Sequence, residues 1–522
     1  MKTSPKLLVG IGLLATGCST KAVVEERPNV LFILSDDHTS QAWGIYGGIH
    51  ATYAPNENIQ RLAEEGCVLD NSFCTNSISV PSRASILTGA YSHKNGAKVL
   101  WTGLDGEHDN IAKQAQRGGY QTAIFGKWHL HNKPQGFDTW EVFHDQGEYN
   151  NPVFQNESNW VKGKNVGDTV VGFSTDIVAD KTINWIENRD KKQPFMAYCH
   201  FKATHEPWDF PERNKDLYKD MVFPYPEDML ELDWESTGRT FHGQQLENLA
   251  TRWETATETG KWWCDYPELP FKREGKSKTE DRKQVYQKLM RDYMRCAAAI
   301  DQNIGRLLDY LDESGLAENT IVVYVSDQGY FLGEHGMFDK RMMLEQSLRM
   351  PFVIRYPKEI PAGTRLDDIV LNIDHAALLA DYTGINAPAL SQGRSYRENL
   401  KGNTPDDWRK SMYYRYWTQE TVRPAHFGVR NDRYKLMFLY GLPHEPKEVA
   451  KAQKFEPTWE FYDLQEDPKE MRNAYNNPKY AETIKEMKAE IVRLRKEYDD
   501  TDANYPQMLE LLEKEGLTAS NN

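Results

Sequence analysis

Asn29-Val30-Leu31-Phe32-Ile33-Leu34-Ser35-Asp36-Asp37-His38 decides how this 522-residue chain folds. It is an unbroken apolar run that ends in Ser, then Asp, then a second oxygen donor. The pattern returns about 290 residues later, in Thr320-Ile321-Val322-Val323-Tyr324-Val325-Ser326-Asp327-Gln328-Gly329. Continuous apolar runs of this length suit parallel strands covered on both faces. In open α/β sheets, ligands bind beyond the carboxyl ends of such strands. Asp36, Asp37, Asp327 and Gln328 are therefore expected to converge there. Together they form a hard, all-oxygen donor set that favours Ca²⁺ or Mg²⁺ over zinc. A single Asp in such a place is ordinarily a helix N-cap or a turn residue. That explanation loses force when the pattern occurs twice.

Between the two runs lies Ser79-Val80-Pro81-Ser82-Arg83, continuing into Ala84-Ser85-Ile86-Leu87-Thr88-Gly89. This reads as a turn opening a helix. Pro81 suits a first helical turn, where its missing N–H would have no partner anyway. Ser79 then sits where backbone N–H groups and the helix dipole favour an anion. Arg83, one turn later, offers a fixed fork of donors to an oxyanion. Taken alone, the stretch is equally an N-capped helix with an ordinary arginine.

Taken with the two strand runs, these residues resemble the formylglycine-dependent sulfatases of the alkaline-phosphatase-like superfamily, over roughly residues 28–475. Ser-x-Pro-Ser-Arg followed by Ser-Ile-Leu-Thr-Gly resembles the signal whose first residue becomes Cα-formylglycine. That residue is Ser79 here, and cysteine in the commoner version. The resemblance implies a bacterial source and maturation by a serine-type, anaerobic radical enzyme. It also implies an α/β fold, with a large, mostly parallel sheet sandwiched by helices and a smaller C-terminal antiparallel-sheet subdomain. By the same resemblance, Asp36, Asp37, Asp327 and Gln328 are ligands of one Ca²⁺, and modified Ser79 completes the shell. Many relatives carry Asn or His where Gln328 stands. Gly126-Lys127-Trp128-His129 resembles the family's Gly-Lys-x-His segment. Thr204-His205-Glu206-Pro207 resembles Pro-His-x-Pro, with Thr in place of the first Pro. Lys340, in Phe338-Asp339-Lys340-Arg341, resembles the lysine that contacts the sulfate. A lone His or Lys in a loop is usually just solvated. Three of them, each in its family segment and in family order, reverse that reading.

The chemistry needs these residue types. The negative oxygens of a sulfate ester repel nucleophiles. Metal, Lys and Arg neutralise that charge and stabilise the transition state. A hydrated aldehyde offers a hydroxyl that attacks sulfur and expels the sugar alcohol. Its sulfated form then collapses by eliminating sulfate, whereas an unmodified serine would stay sulfated. Carried over by resemblance, Arg83 and Lys127 hold the hydrated aldehyde, and His129 is the base for the collapse. His205, with Lys340, protonates the leaving oxygen.

Apolar residues make up 39% of the chain and charged residues 27%, with mean hydropathy −0.71, the balance of a soluble globular protein with a large core. The net charge of −14 argues against a general polyanion-binding surface, nucleic acid included. An enzyme for a sulfated polymer must then concentrate its cations in one cleft. The 14 Trp and 27 Tyr are mostly expected in the core, with some suited to stacking on sugars.

Lys2 and Lys6 precede the apolar stretch Leu7 to Leu14 and then Ala15-Thr16-Gly17-Cys18. The stretch is too short to span a membrane, so residues 1–17 read as a signal peptide. The small residues before Cys18 resemble a lipoprotein processing site. The expected location is the periplasm or outer membrane, with a lipid on Cys18, and plain secretion as the alternative. Cys67, Cys74, Cys199, Cys264 and Cys296 remain. An odd number without close spacing argues against a disulfide framework or a zinc site.

Residues 18–27 read as a linker and 28–404 as the catalytic domain. Gly118 to Phe125 is a turn and strand delivering Lys127 and His129. Pro194 to Phe201 is a strand delivering His205. Residues 210–280 are polar and weakly periodic, and read as an insertion over the substrate cleft. Residues 281–314 form a long helix closed by Gly315. From 405 to 505 the pattern shifts to short strands: Met412–Trp417, Ala425–Arg430, Tyr434–Tyr440 and Glu460–Leu464. Asp463-Leu464-Gln465-Glu466-Asp467-Pro468 resembles the Asp-Leu-x-x-Asp-Pro turn near the end of sulfatases. A charged helix, Lys479 to Tyr498, follows, and 506–522 read as a loose tail.

The expected function is hydrolysis of sulfate esters on a carbohydrate, either an algal polysaccharide such as ulvan or a glycosaminoglycan. A phosphonate monoester hydrolase or phosphodiesterase of the same superfamily is one rival. A sugar-binding lipoprotein with unmodified Ser79 is another.

Overall fold

The structure is a computed structural model that describes residue 1 and residues 27–230, 244–259, 265–420, 423–451 and 455–518. The expectations about the signal segment after Met1, Cys18 and Cys264 lie outside the described residues.

The core is a ten-stranded sheet whose five central strands all run parallel. In spatial order these are Thr320–Ser326, Asn29–Ser35, Phe195–His200, Gln121–Gly126 and Thr139–Phe143. Antiparallel neighbours flank them, Phe352–Arg355 on one side and Val153–Gln155 on the other. Every residue of Asn29–Ser35 and Thr320–Ser326 is buried. The reason is that helices cover both faces. Leu31 and Ile33 point into one layer with helices Glu57–Glu64, Ser174–Asn188 and Lys278–Glu313. Val30, Phe32 and Leu34 point into the other, with helices Ser79–Thr88, Ile111–Arg117 and Asp374–Thr383. A strand buried on both faces has no use for polar alternation, which is why the sequence reads as a solid apolar run.

Register sets the site. Ser35 lies directly beside Ser326, so Asp36 and Asp327 leave the sheet at the same height. Gly126 ends its strand with φ +96, and a Cβ there would lie 2.0 Å from the His200 carbonyl oxygen. Only glycine permits the turn that brings Lys127 out at this level.

The 210–280 segment is more regular than its sequence suggests. It contains helix Leu246–Thr259, whose Leu246, Leu249, Ala250 and Trp253 are buried at helical spacing. The long helix begins three residues earlier than expected. The Ser277 hydroxyl accepts a hydrogen bond from the Glu280 N–H and caps it there.

The C-terminal sheet is antiparallel, in the order Ser411–Tyr416, His426–Asn431, Tyr434–Leu439 and Thr458–Asp463, with helix Ala481–Glu497 packed on it. Residues 506–518 are not loose. Pro506 opens a helix to Lys514 that buries Met508 and Leu512 in the same core. Short tails read as loose when the apolar spacing at 508, 511 and 512 is overlooked. Cys67, Cys74, Cys199 and Cys296 are buried free thiols. Among the described residues no helix is long and apolar enough to cross a membrane.

Candidate active site

Asp36, Asp37 and Asp327 meet at the carboxyl ends of the two central strands. One oxygen from each falls within 4.8 Å of the others, and all three side chains are buried. Helix Ser79–Thr88 aims its first turn at them. The Ser79 hydroxyl donates to Asp36 Oδ1 at 3.1 Å, and Gln328 Nε2 donates to Ser79 Oγ at 3.4 Å. Arg83 is also fully buried. Its Nε donates to Asp327 Oδ2 at 3.0 Å and its Nη1 to the Lys127 carbonyl at 2.9 Å. Nη2 points toward Asp36 at 3.7 Å without a hydrogen-bond partner among the described residues.

Lys127 pairs with Asp36 and donates to Gln146 Oε1 at 2.5 Å. Lys340 pairs with Asp37, its Nζ 2.6 Å from Oδ1. His129 stands 3.0 Å from Asp145 through Nε2, and its Nδ1 is buried without a partner. His205 donates from Nδ1 to the Glu206 carbonyl at 2.8 Å, leaving Nε2 facing Asp37 at 3.7 Å. The structure thus brings together all ten residues singled out in the sequence. Asp37 and His129 both occupy left-handed backbone, at φ 61 and 52. Non-glycine residues rarely adopt it outside turns and functional sites.

Thr204, which stands where the family has proline, has a local reason. Its N–H donates to the Asp36 carbonyl at 2.7 Å and its hydroxyl to the Asp37 carbonyl at 3.2 Å. A proline could make neither bond.

Burial governs the electrostatics. It pushes the Asp37 carboxyl up to about 6, against the pull of Lys340. It would do the same to Asp327, but Arg83, then Lys127 and Lys340, overcome it and hold that carboxyl below its usual value. Burial also drives Lys127 well down, and holds His129 neutral at about 3. It lowers His205 well below the ordinary histidine range, helped by Lys127, Lys340 and Lys202.

The donor set fits a divalent cation of the hard class. Three buried carboxylates converge, and Gln328 Oε1 has no hydrogen-bond partner among the described residues, while Nε2 turns to Asp37. Amide oxygen and nitrogen are assigned from hydrogen bonding. A half-turn of this amide presents its oxygen to the carboxylates, the geometry a Ca²⁺ ligand needs.

Three residues escaped the sequence reading. Asp145 and Gln146 follow strand Thr139–Phe143, and Lys202 follows Phe195–His200. Lys202 is buried, donates to the Gln146 carbonyl at 3.3 Å, and is pushed down to about 8 by burial. Inspecting every polar residue just past a parallel strand would have found all three. The insertion also reaches the site. Arg252 donates to both Glu206 carboxylate oxygens at 2.9 Å, and Tyr266 bonds the same group, bracing the loop that carries His205.

Residues 28–385 match the family profile described as Sulfatase. The chain belongs to the sulfatase family. Residues 333–497 of this sulfatase also match the profile described as N-sulphoglucosamine sulphohydrolase, C-terminal. An N-acetylglucosamine-6-O-sulfatase of Bacteroides thetaiotaomicron is 37% identical over 542 aligned positions, covering 96% of this chain and 93% of the relative. An ulvan-active sulfatase of Formosa agariphila is 25% identical, covering 95% and 87%. A solved structure of a protein in complex with its substrate D-glucosamine-2-N,6-O-disulfate superposes with a TM-score of 0.81 at 36% identity, covering 91% of this chain and 99% of that one. The sulfatase described here is therefore a sulfuric ester hydrolase with an alkaline-phosphatase-like fold.

Proposed function

We propose that this sulfatase removes the 6-O-sulfate of glucosamine units in a sulfated saccharide, with Ser79 converted to formylglycine and Ca²⁺ held by Asp36, Asp37, Asp327 and Gln328. The observation that carries the substrate is the 37% identity, along 96% of the chain, to an N-acetylglucosamine-6-O-sulfatase. The 25% identity to an ulvan-active relative supports ulvan less.

Formylglycine, once formed and hydrated, supplies the nucleophilic hydroxyl, and Ca²⁺ supplies positive charge beside the sulfate oxygens. The chain's own groups do the rest. Arg83 offers its unpartnered Nη2 to developing negative charge. Asp145 accepts the His129 Nε2–H, which fixes the tautomer and leaves buried Nδ1 as the basic nitrogen. His205 keeps one proton on Nδ1, held by the Glu206 carbonyl. A second proton, on Nε2, serves the leaving sugar oxygen. The free site keeps that position deprotonated, because burial, and then the charges of Lys127, Lys340 and Lys202, disfavour a second proton. An anionic sulfate ester among the three lysines offsets their charge and lets Nε2 take the proton up. The leading segment supports export to the periplasm or outer membrane with a lipid on Cys18, and the Ser79 segment supports maturation by a serine-type radical enzyme.

Protein made with a serine-competent maturation system tests the reading. The tryptic peptide carrying Ser79 should be lighter by two hydrogens. Sulfate release should be fastest from N-acetylglucosamine-6-sulfate and D-glucosamine-2-N,6-O-disulfate, slow from ulvan oligosaccharides, and slower from phosphate and phosphonate esters. Preference for ulvan, or for a phosphorus ester, would overturn it.

A further inference from the structure

A second concavity of about 400 Å³ opens on the outer side of the His129–Asp145 pair. Those two side chains are among its lining, so it adjoins the candidate active site. Three indoles also line it: buried Trp128, with Trp101 and Trp160. Trp101 is 61% exposed, an unusual position for a large ring. Among the described residues its ring neighbour is His444 of the C-terminal subdomain, in a T-shaped contact at 5.6 Å, and most of the indole stays open to solvent. Lys162 stands at the rim. Its ammonium donates to Asn132 Oδ1 at 2.7 Å, and no carboxylate lies within ion-pair distance among the described residues.

Desulfation of one sugar does not use these groups. None of them touches the carboxylate cluster, and while Trp128 and Trp160 pack on the core, exposed Trp101 and the unpaired Lys162 do not. The combination suits a pyranose ring, whose C–H faces stack on indole, bearing an anionic substituent for an ammonium. We infer that the Trp101–Trp160–Lys162 pocket is a saccharide subsite for the sugar adjoining the sulfated glucosamine, and that Lys162 takes an anionic group on that neighbour. The inference rests on the glucosamine-6-sulfate reading and extends it. The preferred substrate becomes an oligosaccharide with a negatively charged neighbour. The size fits, since ligand pockets typically span about 300–1,000 Å³. The charge fits too, since a chain of net charge −14 needs local cations to hold a second anion.

The test uses mature, full-length protein and three substrates: the monosaccharide N-acetylglucosamine-6-sulfate, a disaccharide pairing it with a neutral sugar, and one pairing it with a uronate. Wild type should show the lowest KM for the uronate disaccharide. Trp101→Ala should raise KM about tenfold for both disaccharides, the worth of one aromatic contact. Its kcat should stay within about twofold, and the monosaccharide should be unaffected. Lys162→Ala should raise KM about two- to fivefold for the uronate disaccharide alone, the upper range of one exposed charge pair. A sulfo group in place of the uronate as neighbour substituent would distinguish carboxylate from sulfate recognition by the same lysine. Both side chains are solvent-facing, so loss of folding does not confound the reading. Equal KM values across substrates, or a Trp101→Ala effect that extends to the monosaccharide, would overturn the subsite while leaving the glucosamine reading intact. Failure of wild type on all three substrates, with turnover of another sulfated sugar, would overturn both.

Discussion

The raised Asp37 carboxyl makes a quantitative statement about metal binding. A carboxylate must be deprotonated to ligate Ca²⁺. Burial places the Asp37 proton at about 6. At pH 5 the metal-free side chain is then about 0.9 protonated, and at pH 8 only about 0.01. Calcium uptake should release about 0.9 proton per site at pH 5 and almost none from this group at pH 8. Affinity should weaken about tenfold for each pH unit below 6 and be flat above it. The sign for stability follows. A carboxyl raised on folding favours the folded protein below the unfolded value near 4, and that advantage is lost as pH rises through 6. Chelated protein should therefore gain least from acidification once Asp37 is replaced by Asn, and Ca²⁺ should stabilise wild type more at pH 8 than at pH 5. Lys340 pulls the Asp37 carboxyl down, so Lys340→Met should shift proton release to higher pH. Calorimetric titration with Ca²⁺ in two buffers of different ionisation enthalpy counts the protons. Release at pH 8 exceeding that at pH 5, or a Lys340→Met shift to lower pH, would refute the reasoning.

Four further outcomes are expected. Ser79→Ala should lose essentially all turnover yet still bind sulfated saccharide in a calorimetric titration; turnover near that of fully modified wild type would end the formylglycine reading. His205→Ala should cost about 10²- to 10⁴-fold with a sugar sulfate and far less with nitrophenyl sulfate, whose leaving group needs no proton, while His129→Ala should show little leaving-group dependence. Asp145→Asn removes a hydrogen bond to a charged acceptor worth about 1.5–3 kcal/mol, so kcat should fall about 10- to 150-fold between pH 6 and 8, whereas a loss under threefold would show that Asp145 does not set the tautomer. Arg83→Lys keeps the charge but loses the bonds to Asp327 and the Lys127 carbonyl, so kcat should fall at least about 100-fold, as measured against properly folded protein by circular dichroism.

Much of this was legible in the sequence because its causes are local. The strands at 29–35 and 320–326 could be read because burial on both faces leaves an unbroken apolar run. Asp36 and Asp327 could be paired because each follows such a run by a fixed step. The C-terminal strands were legible as short runs of aromatic and apolar residues. What was missed depends on tertiary placement. Asp145 and Lys202 lie on loops with no motif of their own, and matter only because neighbouring strands end at one height. Helix Leu246–Thr259 was masked by the charged and polar residues between its buried positions. The helix at 506–514 is short and terminal, and packing against the C-terminal core decides it.

The charge distribution ties fold to chemistry. The chain carries a net −14, so long-range steering does not draw a sulfated substrate in. Recognition must come from short-range contacts, and these gain strength where water is excluded. The structure meets that need by placing Arg83, Lys127, Lys202 and Lys340, all buried, around three carboxylates. Each cation comes from a different element: Arg83 from the helix at 79–88, Lys127 and Lys202 from the ends of two parallel strands, and Lys340 from just after the short strand Phe338–Asp339. A buried charge is tolerated only when paired and hydrogen-bonded. The carboxylates that would hold the cation therefore also hold Arg83, Lys127 and Lys340 in place. Removing any one of the three Asp residues should then disturb anion binding as well as metal binding, because the same oxygens position both.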